Sequence, residues 1–211
     1  MFTGIIRFQG KLANRSRNRL TIAVPRAVRA RLKPGGSIAV NGVCLTVEDR
    51  IRNTEFGISV MPETLRVTTL GQLPIGSRLN LELPLRLGDP LDGHLVAGHV
   101  DGIGKVIKIE RRGNSRMLSI SLPSPIKQLV APKGSIAVDG VSMTAILVSR
   151  GMFTIGVIPE TARRTTLGRL RAGDTVNLEA DLIARYVVHH VSKRKTQSAK
   201  RKTAVKNSKY F

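Results

Sequence analysis

Residues 36–47 read GSIAVNGVCLTV and residues 134–145 read GSIAVDGVSMTA, with eight of the twelve positions identical. A second pair of segments, PETLRVTTLGQLPIGSRLNLE at 62–82 and PETARRTTLGRLRAGDTVNLE at 159–179, agrees at thirteen of twenty-one positions. The offset between the copies is 98 in the first pair and 97 in the second. A long period that occurs twice indicates a duplicated domain, whereas a solenoid needs several short units.

Each copy has the pattern of a β domain. Asn41-Gly42 and Asp139-Gly140 are two-residue hairpin signals between short runs rich in Val, Ile and Thr. Pro62 and Pro159 each stop a strand and begin a Pro-Glu-Thr motif that predicts a short helix or turn. We therefore predict an all-β fold: two tandem homologous small Greek-key β-barrels, then a C-terminal α-helix and a basic disordered tail. The predicted boundaries are 1–92, 93–180, 181–191 and 192–211.

The C-terminal helix is predicted over Ala180 to Val191. Its apolar residues form one stripe at helical spacing, namely Leu182, Ile183, Tyr186, Val187 and Val191. A helix of this length is too short to be stable alone in water. The stripe is therefore expected to pack, either on a neighbouring subunit or on its own barrel.

The charge is concentrated at the C-terminus. The formal net charge is +21, and residues 192–211 hold eight basic residues and no acids, which leaves +13 for residues 1–191. Such a tail is expected to be disordered in isolation. It has two interpretations: a solvated, solubilising segment, or an electrostatic contact with RNA or another polyanion.

Cysteine content and the N-terminus bear on the compartment. The single cysteine, Cys44, excludes an intramolecular disulfide and fits a reducing compartment. The N-terminus lacks the order of a signal peptide, and no apolar run approaches membrane-spanning length. A soluble, cytoplasmic protein with no membrane contact is therefore expected.

The common catalytic motifs are absent from the sequence. It contains no phosphate-binding Gly-Lys-Ser/Thr loop, and the glycines from Gly98 to Gly104 lack the strand-then-helix context of a dinucleotide site. His94 and His99 lie five apart without a cysteine or acid cluster, which argues against a metal site. His189 and His190 are interpreted as surface or interface residues.

The differences between the copies suggest where chemistry lies. The first copy has Ile5, Gly35, Cys44 and Pro84 where the second has His99, Lys133, Ser142 and Asp181. These four polar substitutions indicate two related pockets, of which the second is electrostatically distinct. Two such pockets could hold two copies of one small molecule, and holding both reactants can remove about 7–11 kcal/mol from a barrier.

Several stretches resemble riboflavin synthase of the alpha-chain type, in order and in both halves, from Met1 to about Val191. They are MFTGII at 1–6, NGVCLTV at 41–47, GHLVAGHVDG at 93–102, DGVSMT at 139–144, the two PET…TTLG blocks and NLEAD at 177–181. The resemblance implies a dismutation of two 6,7-dimethyl-8-ribityllumazine molecules to riboflavin and 5-amino-6-ribitylaminouracil. It implies two lumazine-binding barrels, no metal and no external cofactor. It further implies a homotrimer formed through the C-terminal helix, with each active site between the N-barrel of one subunit and the C-barrel of the next. Association with lumazine synthase is left open.

The resemblance also implies two sets of substrate-binding residues. In the first barrel they are Gly4, Ile5, Ile6, Cys44, Leu45, Thr46, Ser59, Val60, Met61, Pro62, Glu63 and Thr64. In the second they are Gly98, His99, Val100, Lys133, Ser142, Met143, Thr144, Gly156, Val157, Ile158, Pro159, Glu160 and Thr161.

Four residues are assigned to catalysis. His99 is expected to transfer a proton, because the reference pKa of histidine near 6.5 suits that task at neutral pH. Ser142 and Asp181 would position or activate a nucleophile. Cys44 could stabilise or add to the other ring, although a buried thiol is a poor nucleophile unless its pKa is lowered.

Two rival functions remain. One is a non-catalytic lumazine- or flavin-binding antenna protein of the same fold, in which one pocket is typically degraded. The other is a nucleic-acid-binding module, which rests on charge alone, since the barrels offer no aromatic stacking face.

Overall fold

The computed structural model describes residues 1–52, 54–149 and 151–191. The predicted tail, 192–211, lies outside the described residues. Within these described ranges, fourteen strands form two sheets of seven. The first sheet contains β1 (Phe8–Ser16), β2 (Arg19–Ala23), β3 (Ser37–Val40), β4 (Val43–Thr46), β5 (Asp49–Arg52), β6 (Glu55–Ser59) and β7 (Arg78–Glu82). The second contains β8 (Gly102–Arg112), β9 (Ser115–Ser121), β10 (Ser135–Val138), β11 (Val141–Thr144), β12 (Leu147–Ser149), β13 (Met152–Val157) and β14 (Thr175–Ala180).

The two sheets have the same topology, which confirms the predicted pair of barrels. Their strand orders are β4-β3-β7-β1-β2-β6-β5 and β11-β10-β14-β8-β9-β13-β12. Each sheet closes on itself, because β4 packs against β6 and β11 packs against β13. The predicted hairpins also form: Asn41, Gly42, Asp139 and Gly140 all have φ between 45° and 77°, the left-handed conformation that a two-residue hairpin turn requires.

Short helices connect the strands at equivalent places. They are α1 (Arg26–Arg29), α2 (Pro62–Val67) and α3 (Pro159–Arg164), with 3-10 turns at Thr69–Gly71, Ser124–Ile126 and Thr166–Arg169. Pro62 and Pro159 begin α2 and α3 as predicted, since proline is compatible with the first helical position. A final helix, α4, covers 182–191. The predicted start at Ala180 was wrong, because Ala180 is the last residue of β14 and pairs with Ile136.

Four of the five residues in the apolar stripe on α4 are exposed, and the fifth, Leu182, is half-buried. Ile183, Tyr186, Val187 and Val191 are 66%, 67%, 55% and 45% exposed, respectively. An ion pair of 2.9 Å between Arg185 and Asp101 ties the helix to the second barrel. Within the described residues, no helix is long and apolar enough to span a membrane.

Each barrel core includes a residue from the other half of the chain. Ile6, which precedes β1, packs in the second core with Val106, Ile120 and Phe153. Val100, which precedes β8, packs against the first core. The segment before the first strand of each half therefore crosses to the other barrel, and the two barrels exchange these segments reciprocally.

The two hairpin turns meet backbone to backbone where the barrels join. A Cβ atom added to Gly42 would lie 2.7 Å from the backbone nitrogen of Gly140, and one added to Gly140 would lie 2.7 Å from that of Gly42. Two buried asparagines close the junction. Asn80 donates from Nδ2 to the Asp139 carbonyl (2.9 Å), and Asn177 donates to the Asn41 carbonyl (2.8 Å).

We predict that Gly140→Ala strongly destabilises the protein. The new methyl group would clash with backbone that cannot move independently, and the positive φ adds the usual cost for a non-glycine residue. Gly173→Ala is the matched control, because Gly173 also has a positive φ but no heavy atom within 4 Å of the added Cβ. Urea denaturation should show a free energy of unfolding lower by about 1–2 kcal/mol for Gly173→Ala. The decrease for Gly140→Ala should be at least about 2 kcal/mol larger. Equal losses would contradict the close approach.

The buried carboxyl of Asp139 is expected to make the stability of the fold depend on pH. Burial raises its pKa from 3.8 to about 7. Between these values the folded protein binds a proton that the unfolded chain has released, so stability falls as the pH rises from about 4 through 7. In the first half, Asn41 occupies the same position and accepts from the backbone N–H of Asn80 at 2.7 Å. Asp139→Asn should therefore raise the free energy of unfolding at pH 8, by on the order of a few kcal/mol, with little difference near pH 4. A variant less stable than wild type at pH 8 would refute this account.

Candidate functional site

The crossing segments bring each half of the chain onto the β-hairpin of the other. The backbone N–H of Ser142 donates to the Gly4 carbonyl at 2.8 Å, and that of Cys44 donates to the Gly98 carbonyl at 2.9 Å. Both glycines have positive φ, and a Cβ on either would lie within 2.7 Å of the side chain it faces. Gly4, Ile5 and Ile6 were predicted to join the Cys44 pocket, and the structure instead places Gly4 beside Ser142 and Gly98 beside Cys44.

Two buried carboxylates hold these segments in place. Glu82 accepts from the Thr3 N–H (2.7 Å), the Thr3 hydroxyl (2.8 Å) and the Gly4 N–H (3.0 Å). Glu179 accepts from the N–H groups of Ala97 (2.8 Å) and Gly98 in the same way. Burial raises the pKa of both carboxyls, and the backbone donors oppose that rise.

The hairpin strands divide their side chains between core and outer face. Leu45 points into the first core, while Cys44 is half-buried against Phe2 and Ala39, and Thr46 is exposed. In β11, Met143 packs against the second core, and Ser142 and Thr144 occupy the opposite face. Cys44, Thr46, Ser142 and Thr144 can therefore present side chains to a ligand, whereas Leu45 and Met143 can present only backbone.

His94, Ser142 and Asp181 form a polar group in the second half. The Nδ1 atom of His94 lies 2.7 Å from the Ser142 hydroxyl oxygen, and the His94 ring is buried. Burial lowers the pKa of His94, and the negative charge of Asp181 acts in the opposite direction. A neutral ring at pH 7 can accept the serine proton, and the nearby carboxylate can stabilise the resulting cation.

His94 was not assigned to catalysis from the sequence. The sequence pattern relates His94 to His99 only as a pair of potential metal ligands. The proton-transfer role is predicted for His99. The comparison of the halves could not identify His94, because it aligns one position before Met1 and has no counterpart. His99 follows Gly98, is exposed, and lies where its charge affects Glu179. The structure therefore does not bring His99 to Ser142.

The remaining predicted residues lie at the ends of β6 and β13. Ser59 to Thr64 lead into α2, and Gly156 to Thr161 lead into α3. Val60 and Val157 are core residues, while Met61 and Ile158 are 71% and 55% exposed. Two charged residues in these segments are already paired on the surface, Glu63 with Arg66 and Glu160 with Arg163 and Arg164.

Lys133 occupies a strained position at the edge of the second site. Its φ is 65°, in the left-handed region, where the first half has Gly35 at 79°. The side chain is exposed. Within residues 1–52, 54–149 and 151–191, no group of three or more His, Cys, Asp or Glu side chains is placed to hold a metal ion.

Comparison with known proteins identifies the family. The model of the lumazine binding domain matches residues 3–84 and again residues 97–181. A riboflavin synthase of Mycobacterium tuberculosis is 43% identical over 194 residues, which cover 89% of this chain and 96% of the relative. The chain belongs to the riboflavin synthase family. Another member, from Bacillus subtilis, is 36% identical over 203 residues, covering 93% and 94% of the two chains.

Solved structures of a binding protein are also similar. LumP complexed with riboflavin has a TM-score of 0.79 at 26% identity, and it covers 85% of this chain and 99% of LumP. LumP complexed with 6,7-dimethyl-8-(1'-D-ribityl) lumazine has a TM-score of 0.77 at 25% identity, with the same coverage. The sequence relatives are riboflavin synthases, and the LumP structures show ligands bound to the shared fold.

Proposed function

We propose that the protein catalyses the last step of riboflavin synthesis, the dismutation of two 6,7-dimethyl-8-ribityllumazine molecules. One molecule donates a four-carbon unit to the other, which yields riboflavin and 5-amino-6-ribitylaminouracil. The observation that carries this proposal is the contact of His94 with Ser142 beside Asp181, in a family member that retains both lumazine-binding repeats. This polar group lies in one half only. Such asymmetry suits the reaction, because the two molecules of the same substrate take different roles, one as donor and one as acceptor of the four-carbon unit.

The reaction begins with loss of a proton from the 7-methyl group, which the electron-poor ring makes acidic. In this proposal, His94 is the base. Its lowered pKa keeps the ring neutral, and Ser142 is within hydrogen-bond reach to activate a nucleophile or relay the proton. Asp181 stabilises the imidazolium that forms. Cys44 lies at the equivalent position in the first half and contacts the second molecule's ring, and His99 remains a proposed ligand contact beside it.

The second candidate function is binding without turnover. It is favoured by the similarity to LumP in complex with riboflavin and with the lumazine. Incubating the purified protein with the lumazine and following riboflavin formation by absorbance decides between the two. Tight binding without product would overturn the enzymatic proposal.

Asp181→Ala should reduce kcat at least about a hundredfold, because the cation formed on His94 would lose its stabilising charge. Pro84→Ala is the control, since Pro84 is the aligned residue of the first half. The kcat of Pro84→Ala should fall by less than about tenfold. The rates are measured in the same lumazine assay, and equal losses would contradict the asymmetry between the halves.

The assembly is proposed to be a homotrimer formed through α4. The support is the exposed apolar stripe, which would be buried in the interface. In this assembly each active site would lie between the first barrel of one subunit and the second barrel of the next.

Ile183→Lys with Val187→Lys should dissociate the trimer, because two buried charges would have no partners in the interface. Sedimentation velocity should show a monomer, and lumazine turnover should fall while circular dichroism stays unchanged. Ile107→Lys, at a 47% exposed position on β8, is the control and should remain trimeric. A wild type that sediments as a monomer would refute this assembly.

The location and further partners are proposals as well. A cytoplasmic site is supported by the single cysteine, Cys44, which is unpaired. The eight basic residues of 192–211 would contact RNA or another polyanion. Salt-sensitive RNA binding that survives deletion of these residues would contradict a role for the tail.

A further inference from the structure

We propose that a basic groove in the first half, defined by Arg31, Lys33, Ser37, Pro84 and Arg86, binds the phosphate group of a phosphorylated ligand. The groove encloses a cavity of about 220 Å³. The remaining lining residues are Leu32, Gly36 and Leu83. Three of the eight lining residues are cationic, and within the described part of the chain none of them is acidic.

The cations of the groove are available to a ligand. Among the described residues, no carboxylate forms an ion pair with Arg31, Lys33 or Arg86. Arg31 and Lys33 are exposed, and they follow α1 in a loop that Leu32 anchors in the first core. Arginine presents a planar fork of donors that matches phosphate oxygens, and lysine adds a point charge, so this set suits a phosphate dianion.

The second half has no cationic residue at the positions that align with Arg31, Lys33 and Arg86. Positions 31, 33 and 86 align with Leu129, Ala131 and Ile183, respectively. The alignment is secure, because the buried anchors correspond. Val28 and Leu32 match Ile126 and Val130, and all four lie in their cores. Around positions 31 and 33 the frame is duplicated and only the charges differ, so these two cations are a property of the first half and not of the barrel fold. At position 86 the frame differs as well, because Arg86 lies in a segment without helix and Ile183 lies on α4.

A neighbouring cavity of about 170 Å³ extends the groove. It shares Arg31, Leu83 and Pro84 with the groove and adds a fourth cation, Arg7. It also contains two carboxylates. Glu82 is buried and engaged by Thr3 and Gly4, and Asp89 accepts the backbone N–H of Arg86 at 2.9 Å. Glu82 lies where the charge of Arg7 acts on it, whereas Asp89 lies beside the backbone of Arg86. A phosphate is therefore expected nearest Arg31 and Lys33, with the Arg86 side chain at its edge.

The groove adjoins the strand face that carries Cys44. Ser37 pairs with Thr46 in the β3–β4 ladder, and Ala39 pairs with Cys44. Ala39 is buried and Cys44 packs against it, whereas Thr46 is exposed. Residues two apart on one strand share a face and lie about 7 Å apart. A flavin-like ring beside the partly exposed Cys44 would therefore extend its side chain past Thr46 and Ser37 into the groove. This part of the inference rests on the proposed function, because it assumes a ring at that face.

The phosphate could belong to such a ligand or be free, and the test separates these sources. Riboflavin and riboflavin 5′-phosphate are titrated into the full-length protein by fluorescence quenching, and inorganic phosphate by calorimetry. Arg31→Leu with Lys33→Ala writes the second half's residues into the first. Arg111→Leu with Arg112→Ala also removes two positive charges, but from the exposed end of β8, and serves as the control. Arg86→Ile is a single-site check.

The wild type should bind riboflavin 5′-phosphate at least tenfold more tightly than riboflavin. Arg31→Leu with Lys33→Ala should abolish this preference, Arg86→Ile should reduce it, and the control should keep it. If both flavins bind equally but inorganic phosphate binds the wild type and not the groove variant, the groove takes free phosphate. The proposal is overturned if no phosphate-bearing probe depends on the groove cations, or if the control loses as much. If neither flavin binds, the placement of a ring at the Cys44 face fails, the lumazine assay alone decides the proposed function, and the inorganic phosphate titration still decides the groove.

Discussion

The two halves of the chain meet at a backbone contact that only glycine permits. Gly42 and Gly140 lie at the tips of equivalent hairpins, and each occupies space that a side chain on the other would need. Asn80 and Asn177 then satisfy the buried carbonyls on either side. Because the barrels approach this closely, the segments before β1 and β8 can reach across to the opposite barrel. The position of Gly4 at Ser142 and of Gly98 at Cys44 depends on that approach.

The two halves of the chain thus share nearly the same backbone arrangement but differ in the side chains available for chemistry. Glu82 and Glu179 each accept hydrogen bonds from two successive backbone N–H groups, and Glu82 accepts a third from the Thr3 hydroxyl. Both sites therefore have a similar backbone scaffold. The side chains placed on the scaffold differ. A histidine–serine pair beside an aspartate lies in one half, while a thiol and a cluster of arginine and lysine lie in the other. Duplication supplies two related binding faces, and substitution at equivalent positions then separates their roles.

Much of this arrangement was predictable from the residues. The Asn41-Gly42 and Asp139-Gly140 dipeptides predicted the hairpins, since few other pairs tolerate two successive residues with positive φ. Pro62 and Pro159 predicted the helix starts. The start of α4 was less predictable, because Ala180 continues both the apolar pattern and the final strand. Cys44, Ser142 and Asp181 were found by comparing the halves, and His94 escaped that comparison because it has no equivalent.

The sequence alone determined the duplication, the barrel topology and the residues at which the halves differ, because these follow from local pattern and from alignment of one half with the other. Only the tertiary structure decided which residues share a site. The resemblance to the family implied that Gly4 and Ile6 belong with Cys44, but Ile6 packs in the second core and Gly4 contacts Ser142. The reason is physical: a segment that crosses between barrels is positioned by buried carboxylates and close backbone contacts far away in the chain, and no local pattern encodes that destination.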